Sequence, residues 1–484
     1  MKVLPFLSFG FSQAQWANNY QEGHAGMIHL FEWHWDWIAD ECESLLGPKK
    51  WGGVQVSPPN ENRVIYQGTD RPWWERYQPI SYEFNTRSGD RAKFQSMVNR
   101  CEAAGVRIYA DVIPNHMCGA GGSGEGTAGT AYDADKMDFL GVPYSEKDFN
   151  HEKCNTQSGN IENYGDAWQV RNCRLVSLLD LDQSTAHVRS KIGDYMGDLI
   201  EMGVAGFRVD ACKHMWPGDL EIIYRNLPGV NWDATARPFI AQEVIDQGGE
   251  PIKADDYDYI GRVTEFKYCL NVGNNIYDMQ WLSSLGSSWG MLSPFSALVF
   301  VNNHDNQRGH GGGGHVITFQ EPWELKLATV FMMAHDYGEP RVMSSYEFSN
   351  GDQGPPTVGP GTPDQGCRNG WICEHRWSMI ANTAMFRANV DGTGVNNWVN
   401  GGQNQIAFSR GTKGFVAING GSAAWAGYLP TDMPNGEYCD LMHGDPIEPT
   451  GCTGPTITVA GGRAEVNIAT GDAPMIAIVT AYQA

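Results

Sequence analysis

A short apolar run, a polar cluster and an amphipathic stretch follow one another along the chain, and the cycle repeats. The apolar runs predict strands at Met27–Phe31, Gly53–Val56, Val106–Val112, Gly206–Val209, Phe239–Ala241, Val263–Phe266, Leu298–Val301 and Arg341–Met343. They are short, and several are rich in Val, Ile and Phe, as strands buried on both faces should be. Residues 91–104 put Phe94, Met97, Val98 and Cys101 on one helical face, and Gly105 is suited to end that helix. Residues 185–202 space Val188, Ile192, Met196 and Leu199 for a helix that stops at Gly203, and a further helix is expected from Trp323 to Ala334. Eight strands separated by helices predict an α/β protein built on a parallel (β/α)8 TIM barrel. A doubly wound open sheet is the alternative, but no Gly-rich phosphate turn follows an early strand.

Two regions break the rhythm. Residues 116–184, between the third and fourth strands, are irregular and too long for a simple connection, so a small insert domain is expected there. The barrel would then take residues 15–115 and 185–395, with a Gly/Pro-rich loop over 350–370. From residue 396 to 484 short alternating strands separated by turns predict a C-terminal antiparallel β-sandwich domain; examples are Ile406–Ser409, Phe415–Ile418, Ile457–Val459 and Met475–Val479.

A chain of 484 residues has room for several such units and a large core. Its net charge of −22 repels phosphate backbones and anionic lipid, which argues against nucleic acid and membrane partners; solubility alone accounts for the acidity. Aromatic residues at 11%, and glycines without a collagen period, exclude a disordered or fibrous chain. Eleven cysteines occur without a CxxC or a Cys/His cluster at zinc spacing, which predicts disulfides in a secreted protein and at least one thiol left over. Lys2, the apolar run Val3 to Phe11 and Ser12-Gln13-Ala14 fit a signal peptide over residues 1–14 and an extracellular product; a buried first strand is the alternative.

In a barrel the polar residues just past the strands face the active site. Asp210 ends Gly206-Phe207-Arg208-Val209-Asp210, Glu243 follows Phe239-Ile240-Ala241-Gln242, and Asp305 closes Asn302-Asn303-His304-Asp305. Each alone would read as a helix cap or an ion-paired loop carboxylate. Three together are what glycosidic cleavage needs, one group as proton donor and one ionised beneath the sugar ring.

Asp111-Val112-Ile113-Pro114-Asn115-His116, Gly206–His214, Gln242-Glu243-Val244 and Val301–Asn306 resemble the four signature segments of the α-amylase family of glycoside hydrolases. His29-Leu30-Phe31-Glu32-Trp33, Gln55–Glu61, Arg71–Pro79 and Arg341–Tyr346 look more narrowly like the animal-type, chloride-dependent members. The resemblance implies a retaining, endo-acting enzyme that cuts internal α-1,4 bonds of starch, glycogen and malto-oligosaccharides as a monomer. It implies Asp210 as nucleophile, Glu243 as acid/base, and Asp305 as the ligand of the sugar's 2- and 3-hydroxyls. Trp73, Trp74, Tyr77 and Gln78 would line the glucan cleft, Trp73 and Trp74 on a loop, with His116, Arg208, Lys213 and His304 also at the substrate. Gly311–Gly314 resembles a mobile loop over the cleft.

The same resemblance implies two ions. Calcium would be held by Asn115, Asp180 and the backbone carbonyls of Arg171 and His214, hard oxygen donors that tie the insert to the barrel. Chloride would be held by Arg208, Asn303 and Arg341. An unscreened Arg341 near Glu243 would favour the ionised carboxylate and spoil a proton donor, and a bound anion offsets that charge. The implied disulfides are Cys42–Cys101, Cys154–Cys173, Cys367–Cys373 and Cys439–Cys452. Cys118, whose partner position in many vertebrate members is Asn85 here, is left as a thiol with Cys212 and Cys269. Two competing readings are a silent carbohydrate-binding relative, which would lose a carboxylate, and an α-glucosidase or glucan transferase, which should not carry the animal-type tail and chloride arginines together.

Overall fold

The computed structural model describes residues 15–447 and 449–484; the expected signal peptide lies outside them. Eight parallel strands close a barrel: β1 (Ala25–Leu30), β2 (Trp51–Val56), β3 (Arg107–Val112), β4 (Gly206–Val209), β5 (Phe239–Gln242), β6 (Arg262–Thr264), β7 (Ala297–Val299) and β8 (Glu339–Ser344). Each pairs with its sequence neighbours, and β8 closes on β1 with Met27 opposite Arg341. The apolar runs located all eight. Two expected strands end early: Phe266 opens a helix whose N-terminus Glu265 caps by accepting from the Lys267 N–H, and Val301 lies past the end of β7.

Helices pack outside the barrel for the reasons their sequences carry. The helix Arg91–Ala103 starts where Asp90 Oδ1 accepts from the Lys93 N–H at 2.9 Å, buries Phe94, Met97, Val98 and Cys101, and stops before Gly105, whose φ of +88° favours glycine. Ala186–Glu201 is capped by Thr185 and buries Val188, Ile192, Met196 and Leu199.

Past β3 the chain leaves the barrel. His116–Gly119 pairs antiparallel with Leu178–Asp180, and Ser123–Glu125, Ala131–Asp133 and Asp138–Phe139 form a further small sheet. The C-terminal residues form two four-stranded antiparallel sheets. In the first, Phe415, Ala417, Ile476 and Ile478 face the second sheet, where Tyr438 and Val459 lie, while Val416, Ile418, Ala477 and Val479 join the barrel's core. This sheet is covered on both sides, which explains its unbroken apolar runs. The four expected disulfides are present, and Cys118, Cys212 and Cys269 are buried thiols.

Candidate active site

Strand register builds the site. Arg208 on β4 lies level with Asp111 on β3 and Ala241 on β5, and Val209 lies level with Gln242. One step further, the Asp210 N–H donates to the Val112 carbonyl at 2.9 Å and the Glu243 N–H to the Val209 carbonyl at 2.9 Å. Asp210 and Glu243 therefore emerge side by side at the strand ends. Residues two apart on a strand share a face, so Arg208 and Asp210 point the same way.

All of these charges are buried. Arg208 Nη1 lies 2.8 Å from Asp111 Oδ1 and 2.6 Å from Asp210 Oδ1, and its Nη2 pairs with Glu243 Oε1. The Tyr77 hydroxyl donates to Asp111 Oδ2 at 2.8 Å. Glu243 Oε2 accepts from the Ala211 N–H at 3.0 Å; Ala211 takes the left-handed conformation, φ 53°, that a residue with a Cβ adopts only when held there. Asp305 is set by Asn303, whose Oδ1 accepts from the N–H groups of Asp305 at 3.2 Å and Asn306 at 2.7 Å.

One guanidinium faces four carboxylates. Burial works against the charge on Arg208, but Asp111, Glu243 and Asp210 outweigh it and raise its pKa well above the usual value. Burial lifts Asp210 well above the usual carboxylate range, with Arg208 opposing and Glu243 adding to the rise. Asp305 is pushed up to about 7 by burial and then by the charge of Glu243. The cluster thus keeps a proton at pH values where free carboxylates have lost theirs.

The expected sugar-binding residues surround it. Trp73, Trp74 and Tyr77 sit on a 3-10 turn, Trp73–Tyr77, rather than the expected loop. Trp73 is only 5% exposed, its ring wedged against Phe31, Tyr77 and His304, and its Nε1 donates to the Gly351 carbonyl at 2.8 Å. Tyr77 stacks on His304 at 5.4 Å. Gln78 Oε1 accepts from the Gly119 N–H, and Lys213 Nζ donates to the Ile245 carbonyl at 2.8 Å. His116 donates from Nε2 to the Tyr77 carbonyl at 3.0 Å, and burial drops its pKa to about 4, so it is neutral. The Gly311–Gly314 stretch lies against the segment after Glu243: a Cβ on Gly313 would come 2.4 Å from Gln247 Oε1.

Asn115 and Asp180 lie at the joint between insert and barrel, where the Leu181 N–H donates to the Asn115 carbonyl at 2.9 Å. Asn115 Oδ1 and Asp180 Oδ1 are both buried without a hydrogen-bond donor. Burial lifts the Asp180 carboxyl well above its usual range. His214 Nδ1 meets the Val170 carbonyl at 3.0 Å, bringing its turn against the helix that carries Arg171. Two orphaned oxygens fit a hard cation. Among the described residues no group of three or more His, Cys, Asp or Glu side chains could hold a metal; the expected donor set has one carboxylate and otherwise amide and backbone oxygens.

Arg341 is a buried cation with one side-chain hydrogen bond, from Nη1 to Gln55 Oε1 at 2.6 Å, and its guanidinium lies 5.1 Å from the Phe300 ring centre. Burial, then the like charge of Arg208, lowers its pKa to about 10. Two neighbouring guanidiniums with so little compensation for the second fit an anion.

Sequence reasoning missed Asp111 and Gln55 as part of the charge cluster. Asp111 stood within a recognised segment, but its place opposite Arg208 follows only from the strand register.

The chain from 69 to 240 matches the family model "Alpha amylase, catalytic domain", and residues 396–480 match "Alpha amylase, C-terminal all-beta domain". It is 49% identical to an alpha-amylase of Oryzias latipes, covering 99% of each chain, and 49% identical to a pancreatic alpha-amylase of Homo sapiens, covering 98% of each. Among solved structures it is similar to a mutant of alpha-amylase I from Eisenia fetida in complex with maltohexaose: TM-score 0.89, 45% identity, covering 96% of this chain and 99% of that one.

Because Asp305 holds its proton more tightly folded than unfolded, it should cost stability as pH rises from about 4, its unfolded value, to about 7. Asp305→Asn should remove that slope, so denaturant melts should find the variant gaining on the wild type across this window, with a ceiling of about 4 kcal/mol by linkage. Parallel pH profiles for the two proteins would contradict the assignment.

Proposed function

The chain belongs to the animal α-amylase family, and from that premise we propose that it hydrolyses internal α-1,4-glucosidic bonds of starch and glycogen with retention of configuration. The observation that carries this reading is the pairing of Asp210 and Glu243 with one guanidinium. Carboxyl groups gripped by a single Arg208 lie close together, in keeping with the ~5–5.5 Å of retaining glycosidases rather than the ~6.5–9.5 Å that leaves room for a water in inverting ones.

In this mechanism Asp210 attacks the anomeric carbon while neutral Glu243 gives its proton to the leaving glycosidic oxygen. A β-glycosyl ester forms on Asp210 and the aglycone chain departs. The Glu243 carboxylate then takes a proton from water, whose oxygen displaces Asp210 and restores the α-configuration. Arg208 favours the charged nucleophile, while Asp305, high enough in pKa to carry a proton near neutrality, meets the 2- and 3-hydroxyls. Trp73, Trp74, Tyr77, Gln78, His116, Lys213 and His304 bind the glucan, through aromatic faces and neutral or cationic donors. Asn115 and Asp180 side-chain oxygens with the Arg171 and His214 carbonyls would hold Ca2+, which supplies positive charge to a buried carboxylate and clamps the insert to the barrel.

Chloride would lie with Arg208, Asn303 and Arg341. A bound anion there would offset the guanidinium charge of Arg208 and Arg341 beside Glu243, the residue that must give up a proton. Four disulfides support secretion.

Asp210→Asn should lower kcat on soluble starch by at least about 10⁴-fold with an unchanged melting temperature, the scale of losing a covalent nucleophile; substantial residual hydrolysis would sink the assignment. Adding chloride to chloride-free enzyme should raise activity and move the pH optimum upward, and Arg341→Gln should abolish the response. A pH–rate profile indifferent to chloride in the wild type would refute the anion site.

A further inference from the structure

The segment that carries the nucleophile runs outward from the barrel and ends at an aromatic ridge that no part of the mechanism uses. Lys213 reaches the Ile245 carbonyl two residues past Glu243, and its Nζ lies 5.5 Å from the ring centre of Tyr164. Tyr164 also meets the His214 ring edge-on at 6.3 Å. Three residues past Lys213, Trp216 packs edge-to-face on Trp168 at 5.9 Å, with Arg171 4.9 Å from its ring centre. Tyr164 is 40% exposed and Trp168 46% exposed. Exposure alone does not mark these rings, since Trp281 is 64% exposed; what sets Trp168 apart is its packing on Trp216, three residues past Lys213.

Trp168 is also held rigidly. Its Nε1 donates to the Lys153 carbonyl at 3.0 Å, its N–H to the Asp166 side chain at 2.9 Å, and its carbonyl accepts from Asn172 Nδ2 at 2.8 Å. The Cys154–Cys173 bridge ties down both flanks, next to Lys153 on one side and Asn172 on the other. A ring fixed in this way binds a flat apolar face at little entropic cost.

We propose that Trp168, packed on Trp216 three residues past Lys213, is an outer binding site of the cleft that stacks on a glucose unit of a long α-1,4-glucan, so that it sets the preference for long chains over short ones. The proposal rests on the starch-hydrolysing reading above. Pyranose rings present apolar C–H faces that suit an aromatic platform, and the ridge is continuous with the catalytic segment through Lys213 and His214. Negative charge on a partner is not called for, because Lys213 is already paired with Glu250 and Arg171 with Asp256. Trp168 touches no reacting atom. Binding energy collected there is remote from the bond cleaved and is available only to substrates long enough to reach it.

The test compares wild type, Trp168→Ala and Trp168→Phe on amylose and on a maltotrioside carrying a chromogenic leaving group. Trp168→Ala should lower kcat/KM on amylose about five- to tenfold, the scale of losing one ring's contact, and leave the short substrate within about twofold. Trp168→Phe should recover most of the loss. In an Asp210→Asn background, Trp168→Ala should weaken maltoheptaose binding by a similar factor and maltotriose binding hardly at all. Equal losses on both substrates would mark Trp168 as merely structural and overturn the proposal, as would unchanged amylose kinetics. A wild-type chain that cleaves neither substrate would overturn the starch reading itself, and the outer site with it.

Discussion

A buried guanidinium with more carboxylates than it can neutralise is the constraint on which the site depends. Arg208 meets Asp111, Asp210 and Glu243, all of them buried, and Asp305 adds a fourth negative group to the same field. Removing the arginine from such a network would leave buried carboxylates uncompensated, a penalty of about 3–5 kcal/mol for a typical pair, whereas losing one of several carboxylates leaves Arg208 still paired. The barrel must therefore hold its register. A slip of one residue at β4 would turn Arg208 and Asp210 out of the interior and bring Val209 in. Architecture and chemistry are in this sense one requirement, since the alternation that fills the barrel also delivers the charges.

The same arithmetic gives the surrounding features their places. Arg341 is a second cation, close enough to Arg208 to be weakened by it, yet among the described residues its one side-chain acceptor is the neutral Gln55. At the joint with the insert the imbalance is reversed: Asp180 is a buried carboxylate with one oxygen unpartnered. A site short of anion on one side and short of cation on the other is consistent with a protein completed by small ions rather than by further side chains.

Much of this was legible in the sequence because apolar runs and the residues just beyond them have fixed meaning in a barrel. The strands carrying Asp210 and Glu243 could be read directly, and so could the helix that stops before Gly105. What could not be read depends on contacts between distant segments. The proposed calcium donors include backbone carbonyls, which leave no mark on residue type. The 3-10 turn that buries Trp73 comes from packing against Phe31 and His304, residues that only the closed barrel brings near. Asp111 stood within a recognised segment, yet its partnership with Arg208 needs the strand register to be known. Trp168 is the single tryptophan of the insert, and only its rigid placement beside Trp216 gives it meaning.

The central claim is that Asp210 and Glu243, gripped by one arginine, work as a close pair through a covalent intermediate. The configuration of the first-formed product tests it most directly, followed by proton NMR of the anomeric signals in the opening seconds of maltopentaose cleavage, before mutarotation. The account predicts that the new reducing end appears first as the α-anomer. Initial appearance of the β-anomer would mean a single displacement by water, and would contradict it.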